Sequence, residues 1–201
     1  MPSKRLNPRT WAKAVLKSLD STLEPASEKA PAVTDEDPNA FIEFAFEAPH
    51  HREWQQAFTE DRVARLGLAE SGAIQQAIQQ ACFRLVWEMG RNPEIRIFIL
   101  CASVDASQNI LSIIKSHIED NQKIRRVFPD LTPGKPWRAS SIVIASRASL
   151  VSMDHTVQAF GRTSKYNGRA DIIVCDNNAT SATPKVQTCL VAGGRLWVIE
   201  A

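Results

Sequence analysis

The chain has 201 residues, 44% of them hydrophobic and 23% charged, the composition of an ordinary globular protein with room for one sizeable domain and a tail. Its formal charge of +2 is too small to carry nucleic-acid binding across the whole surface, so any such contact must come from a local patch. No apolar run reaches the roughly 18 residues of a membrane span, and the N-terminus "MPSKRLNPRTWAKAVLKSL" lacks the apolar core of a signal peptide.

Residues 8–20 have helical spacing, with Trp11, Val15 and Leu19 on one face. The stretch "STLEPASEKAPAVTDEDPN" is rich in Pro, Ser, Ala and acid and reads as a linker. An N-terminal helix and flexible linker are therefore expected over 1–36, and the domain proper over 37–201. "DPNAFIEFAF" and "APHHREWQQAF" are short helical or extended pieces carrying aromatics, with His50 and His51 as polar loop residues. "DRVARLGL" predicts a short strand weakened by its arginines. After Gly72 the pattern turns helical, and Ile74, Ile78, Ala81, Cys82, Leu85 and Met89 form one stripe. Gly90 and Pro93 predict the end of that helix, with the glycine just past its last turn.

"IRIFILCAS" is almost wholly apolar, as in a strand buried on both faces of a parallel sheet. Asp105 and Gln108 have the spacing of a capping box, ahead of a helix with Ile110, Ile113, Ile114 and His117 on its apolar side. "PDLTPGKPW" reads as a loop, "SSIVIAS" and "TVQAF" as short strands, and "RADIIVCDNN" as a buried strand ending in polar residues. "CLVAGGRLWVI" divides into two apolar runs around Gly193 and Gly194, the second a strong strand. Alternation of strands and helices predicts an α/β fold with a mainly parallel sheet flanked by helices. Cys82, Cys101, Cys175 and Cys189 all lie in apolar runs without metal-ligand spacing, and read as core residues of a cytoplasmic protein.

In open parallel sheets ligands sit at the carboxyl ends of strands, and two such ends carry suggestive residues. "RLGLAESGAIQQ", residues 65–76, has Gly67 and Gly72 at the spacing of a phosphate-binding G-x-x-x-x-G-K-[ST] loop, but Ala73 stands at the lysine and Ile74 at the hydroxyl. Two glycines at that spacing also arise in ordinary turns. Asp176 follows the apolar run from Ile172 to Cys175, as an acid that holds magnesium through water does, and as many strand ends do.

With these blocks in order, the sequence resembles the ATPase domain of phage terminase large subunits, the motors that drive viral DNA into capsids. The resemblance runs from about Asp37 to the last residue. It rests on "FIEFAF" with "HREWQQAF", on "LAESGAIQQ", on the long block "VWEMGRNPEIRIFILCASVDASQNILSIIKSHIEDNQKIRRVFPDL", on "DHTVQAFGRTSKYNGRADIIVCDN" and on "AGGRLWVI". It implies a P-loop NTPase type of fold, with nucleotide held at Gly67, Ser71, Gly72, Ala73 and Ile74, adenine near Trp54 and Gln55, magnesium through water at Asp176, and the catalytic acid's position at Asn177. ATP and Mg2+ are the implied cofactors. Double-stranded DNA, a portal and a small terminase subunit are the implied partners, in a bacterial host's cytoplasm, with self-association left open.

The departures bear on chemistry. A lysine charge about 4 Å from a phosphate contributes roughly 4 kcal/mol at an effective dielectric near 20, so Ala73 implies on the order of a thousandfold weaker phosphate contact. Ile74 cannot ligate magnesium, and Asn177 can orient a water but not take its proton. Glu70 adds negative charge beside the loop, Glu200 stands where a glycine is usual, and the family's coupling threonine falls near Ala201. Against the family's usual pattern the connector from Asp176 to Val191 reads as shorter, and the expectation is of a domain lacking the nuclease domain. The expectation is a shortened, catalytically impaired packaging ATPase of a phage or prophage. The rivals are a non-enzymatic module binding terminase, portal or DNA, and a remnant without a role. Arg62, Arg65, Arg162, Lys165 and Arg169 read either as solvated charge or as DNA and phosphate contacts.

Overall fold

A computed structural model of the chain describes residues 35–47, 51–67, 71–148, 155–166, 168–176 and 183–200. All of them lie in the unit Ala32–Ala201. The expected helix over 8–20 and most of the linker fall outside the described residues, as does Asn177.

Seven strands form one sheet in the order β1-β7-β6-β2-β5-β4-β3. They are β1 (Val63–Gly67), β2 (Ile97–Cys101), β3 (Pro133–Trp137), β4 (Ser141–Ile144), β5 (Val157–Gly161), β6 (Ala170–Asp176) and β7 (Leu190–Glu200). The five strands from β1 to β5 in that order run parallel, and only β4 and β3 pair antiparallel. The mainly parallel α/β fold expected from the sequence is the observed one.

The helices are α1 (Pro38–Phe46), α2 (Arg52–Glu60), α3 (Ser71–Arg91), α4 (Val104–Asp120), α5 (Gln122–Val127) and α6 (Thr183–Gln187). One sheet face, carrying Ile99, Val174, Trp197 and Ile199, packs in a single core with residues of α1 to α5. The other face, with Phe98, Ile173, Leu196 and Val198, packs with Val186 of α6 and with Phe160 and Tyr166. β2 and the end of β6 are therefore apolar on both sides, which is why their sequences do not alternate.

The second half of helix α3 is enclosed: every residue from Gln80 to Met89 is buried. Gly90 lies inside its last turn rather than past its end, and a Cβ there would run into the ring of Phe128. The capping box at Asp105 is not formed. Ser103 is the N-cap of α4, its Oγ accepting from the Ala106 amide at 3.1 Å, and Asp105 sits in the first turn. The buried face of α4 is Ser107, Leu111, Ile114 and Ile118, one position away from the expected stripe, and Ile113 is exposed. His117 is half-buried against the stacked rings of Phe46 and Phe83, both of which it meets edge-on. "PDLTPGKPW" contains an edge strand, β3, and β7 is one strand running through both glycines with an irregular register.

Candidate functional site

Three strand ends converge at one rim of the sheet. Gly67 closes β1 and pairs with Glu200 of β7, while Ile199 pairs with Leu66 on one side and with Asp176 of β6 on the other. Gly67 thus stands one residue beyond the level of Asp176 with one strand between them, two strand spacings or about 10 Å apart. Helix α3 begins at Ser71, close after the end of β1, so its first-turn amides open onto this rim.

Of the residues expected to hold nucleotide, Gly67, Ser71, Gly72, Ala73 and Ile74 share this strand-to-helix junction. Ala73 is half-buried, and Ile74 packs against the main core. The first turn presents no side-chain cation and no hydroxyl at 73 or 74.

Trp54 and Gln55 both lie on α2 but point to different surroundings. The Trp54 ring stacks on His51 at 4.0 Å and packs against the core, beside a shallow hollow that includes Arg52 and Glu53. Gln55 is buried, and its amide nitrogen donates to the side-chain and backbone oxygens of Gln80 at 3.3 and 3.4 Å. Gln80 lies about 13 Å along α3 from its first residue. Gln55 therefore fastens α2 to the middle of α3.

That fastening belongs to a buried polar network which the sequence pattern did not reveal. Glu88 Oε1 accepts from Arg84 Nε at 3.0 Å and pairs with Arg195 Nη2 at 2.8 Å. Arg84 also donates to Thr59 Oγ1 at 3.0 Å and to the Gln55 carbonyl at 3.4 Å, and Arg195 donates to the Phe58 carbonyl at 3.2 Å. Burial pulls the Arg84 guanidinium below its ordinary value, and the Glu88 carboxylate opposes that shift. The network joins α2, α3 and β7 at the end of the molecule opposite the rim. Its sequence signal is the i,i+4 pair Arg84 and Glu88 inside the otherwise apolar run 81–90.

At the rim itself, Asp176 is half-buried and lines a void of about 10 Å³, room for roughly one water, whose other walls include Ile78, Cys82, Ile99, Cys101 and Ile110. The Cys101 thiol and Asp176 line the same void. Burial, and then the charge of Asp176, push that thiol well above the ordinary range. Burial alone pushes Cys82 up to about 12. All four cysteines are free and buried, as expected of core residues, and these two are poor nucleophiles. Among the described residues no group of three or more His, Cys, Asp or Glu side chains is placed to hold a metal. Arg62, Arg65, Arg162, Lys165 and Arg169 are all exposed. No described helix is long and apolar enough to cross a membrane.

No protein-family model and no curated protein matches the chain. Solved structures do. The ATPase domain of the large terminase of Thermus phage P74-26, in a single-substitution mutant form, superposes with a TM-score of 0.55 at 14% identity, over 80% of this chain and 68% of that one. A second structure of that domain gives a TM-score of 0.53 at 15% identity, over 80% of this chain and 67% of that one. At such identity the likeness establishes the fold. The chain resembles a terminase ATPase domain in three dimensions, and its architecture is of the P-loop NTPase type.

Proposed function

We propose that the chain is a terminase-type ATPase domain, from a phage or prophage, whose nucleotide site no longer hydrolyses ATP unaided. The observation that carries this reading is the rim geometry: a glycine-ended strand leads into a long helix, one strand away from a strand ending in Asp176. In a P-loop protein those two ends hold phosphate and magnesium.

The side chains present do not fit a magnesium triphosphate. Ala73 brings no charge to offset the phosphates, Ile74 packs against the core, and Asp176 lines a void whose walls are mostly apolar. The backbone amides of the α3 first turn remain as a weak anion site. Residues 37–201 make up this ATPase-like domain in our reading, and DNA, a portal and a small terminase subunit are its partners by lineage.

The experiment is phosphate release from ATP and magnesium, with and without double-stranded DNA. Release at the no-protein background is expected. Steady hydrolysis by the unaltered chain that disappears in Asp176→Ala would overturn the impaired part of the proposal.

A further inference from the structure

The far end of α3 lies about 30 Å along the helix from its first turn, away from the rim. There the helix stops in a way that leaves carbonyls without backbone donors. In a continued helix the Met89 and Gly90 carbonyls would accept from the N–H groups of residues 93 and 94. Pro93 has no N–H, and the Glu94 N–H donates to Asn92 Oδ1 at 3.1 Å. The Asn92 N–H, which could reach Met89 in a tighter turn, donates to the Glu88 carbonyl at 2.9 Å.

Met89 and Gly90 line an open hollow of about 290 Å³. Its wall is apolar at Pro93, Val127, Phe128 and Leu131, with Ser146 and Asp130 as its polar side chains. Asp130 is exposed and enters no ion pair among the described residues. The cations next in sequence to the lining are engaged elsewhere. Arg91 lies over the Trp87 ring at 5.2 Å, and Arg147 donates to the Ile95 carbonyl at 3.2 Å. Carboxylate and carbonyls can only accept, and the C-terminus of a 21-residue helix adds partial negative charge. The hollow therefore repels phosphate and favours a cation that donates. Its volume is at the lower limit of small-molecule sites, enough for one short alkyl chain.

We infer that this hollow binds a primary alkylammonium ion. Its N–H groups donate to Asp130 and to the carbonyls that end α3, and its carbon chain lies on Phe128 and Leu131. A lysine side chain of a partner protein and a free diamine share that chemistry. The site goes beyond the proposed function and does not depend on it, because it lies at the other end of α3 from the phosphate-loop junction.

The test is titration of the full, isotope-labelled chain with butylammonium chloride, read from the backbone amide resonances. Saturable shifts are expected at Gly90, Asp130 and Leu131, and none at Gly67 or Ser71. Butanol, of the same length and uncharged, binds more weakly, and Asp130→Asn weakens butylammonium binding about fivefold. Shifts that never saturate, equal affinity for butanol, or an unchanged affinity in Asp130→Asn overturn the inference. Should Asp130→Asn fail to fold, salt decides on the parent chain: butylammonium affinity falls as sodium chloride is raised, and an affinity indifferent to salt overturns the inference. Acetyl-lysine methylamide and diaminobutane separate the two sources. Tighter binding of the first assigns the site to a partner's lysine, tighter binding of the second to a free diamine, and binding of neither overturns it. No readout involves nucleotide, so failure here leaves the phosphate-site reading standing, and failure of that reading leaves this site standing.

Discussion

Replacing Glu88 by glutamine tests the network that ties β7 to α3. Glutamine keeps the volume and an acceptor oxygen, so the substitution removes charge and little else. In the folded chain Glu88 Oε1 stands 3.0 Å from Arg84 Nη2 and 2.8 Å from Arg195 Nη2, with side chains 3%, 11% and 24% exposed for Arg84, Glu88 and Arg195. Arg84 cannot reach water without unpacking α2, and its guanidinium stays charged. Uncompensated buried charge of this kind costs about 3–5 kcal/mol. For a chain of this size that lowers Tm by roughly 6–20 °C. Replacing the pair together, Arg84→Met with Glu88→Leu, removes the buried charges and recovers at least half of the loss, because the more exposed Arg195 can turn to solvent. The control is Glu47→Gln at the exposed bridge to Lys123, which leaves Tm unchanged. The assay is thermal melting by circular dichroism. Glu88→Gln melting within about 2 °C of the parent would refute the reasoning, since it would mean Arg84 is already hydrated or mobile.

Two further outcomes are expected. Burial holds the His117 pKa below its ordinary 6.5, so as pH falls the unfolded chain takes up that proton first. The stability contribution of neutral His117 is full above the ordinary value and is lost as pH drops through it toward the folded pKa. Melting from about pH 7.5 to about pH 5.5 shows a steeper fall in Tm for the parent than for His117→Phe, and parallel curves would contradict this. Gly90→Ala, which in a free helix is stabilising by about 1 kcal/mol, instead destabilises by about 1–3 kcal/mol because its Cβ meets the Phe128 ring, and a second change, Phe128→Leu, relieves part of that loss. Urea unfolding measures both, and a Gly90→Ala chain more stable than its parent would show that Phe128 is free to move.

Much of the fold was legible because β2, the run 172–175 of β6 and the run 196–199 of β7 are buried on both faces and so read as unbroken apolar runs. The stripe on α3 was equally plain, since Ala81, Cys82, Leu85 and Met89 all reach the core. What failed had local causes. Gly90 imitates a terminator, but it is set by a tertiary contact with Phe128. Asp105 imitates a cap, yet Ser103 lies two residues earlier at the true helix start. In β3 the prolines at 133 and 136 mark an edge strand as readily as a loop, and only its pairing with β4 separates the two. At the rim, the sequence pointed to Gly67 and Asp176. It did not point to Cys101, because adjacency of β2 and β6 is a fact of topology that no local pattern encodes. Gln55 was legible as a polar residue of interest, but its partner Gln80 lies across a helix interface.

The most direct test of the central claim is calorimetric titration of ATP with magnesium into this chain and into the double revertant Ala73→Lys, Ile74→Thr, both shown folded by melting. The account predicts heat of binding in the revertant alone, with an affinity gain of up to about a thousandfold from the restored lysine. Two folded chains that both fail to bind would contradict it: the junction after Gly67 would then be a turn, with no phosphate chemistry to recover.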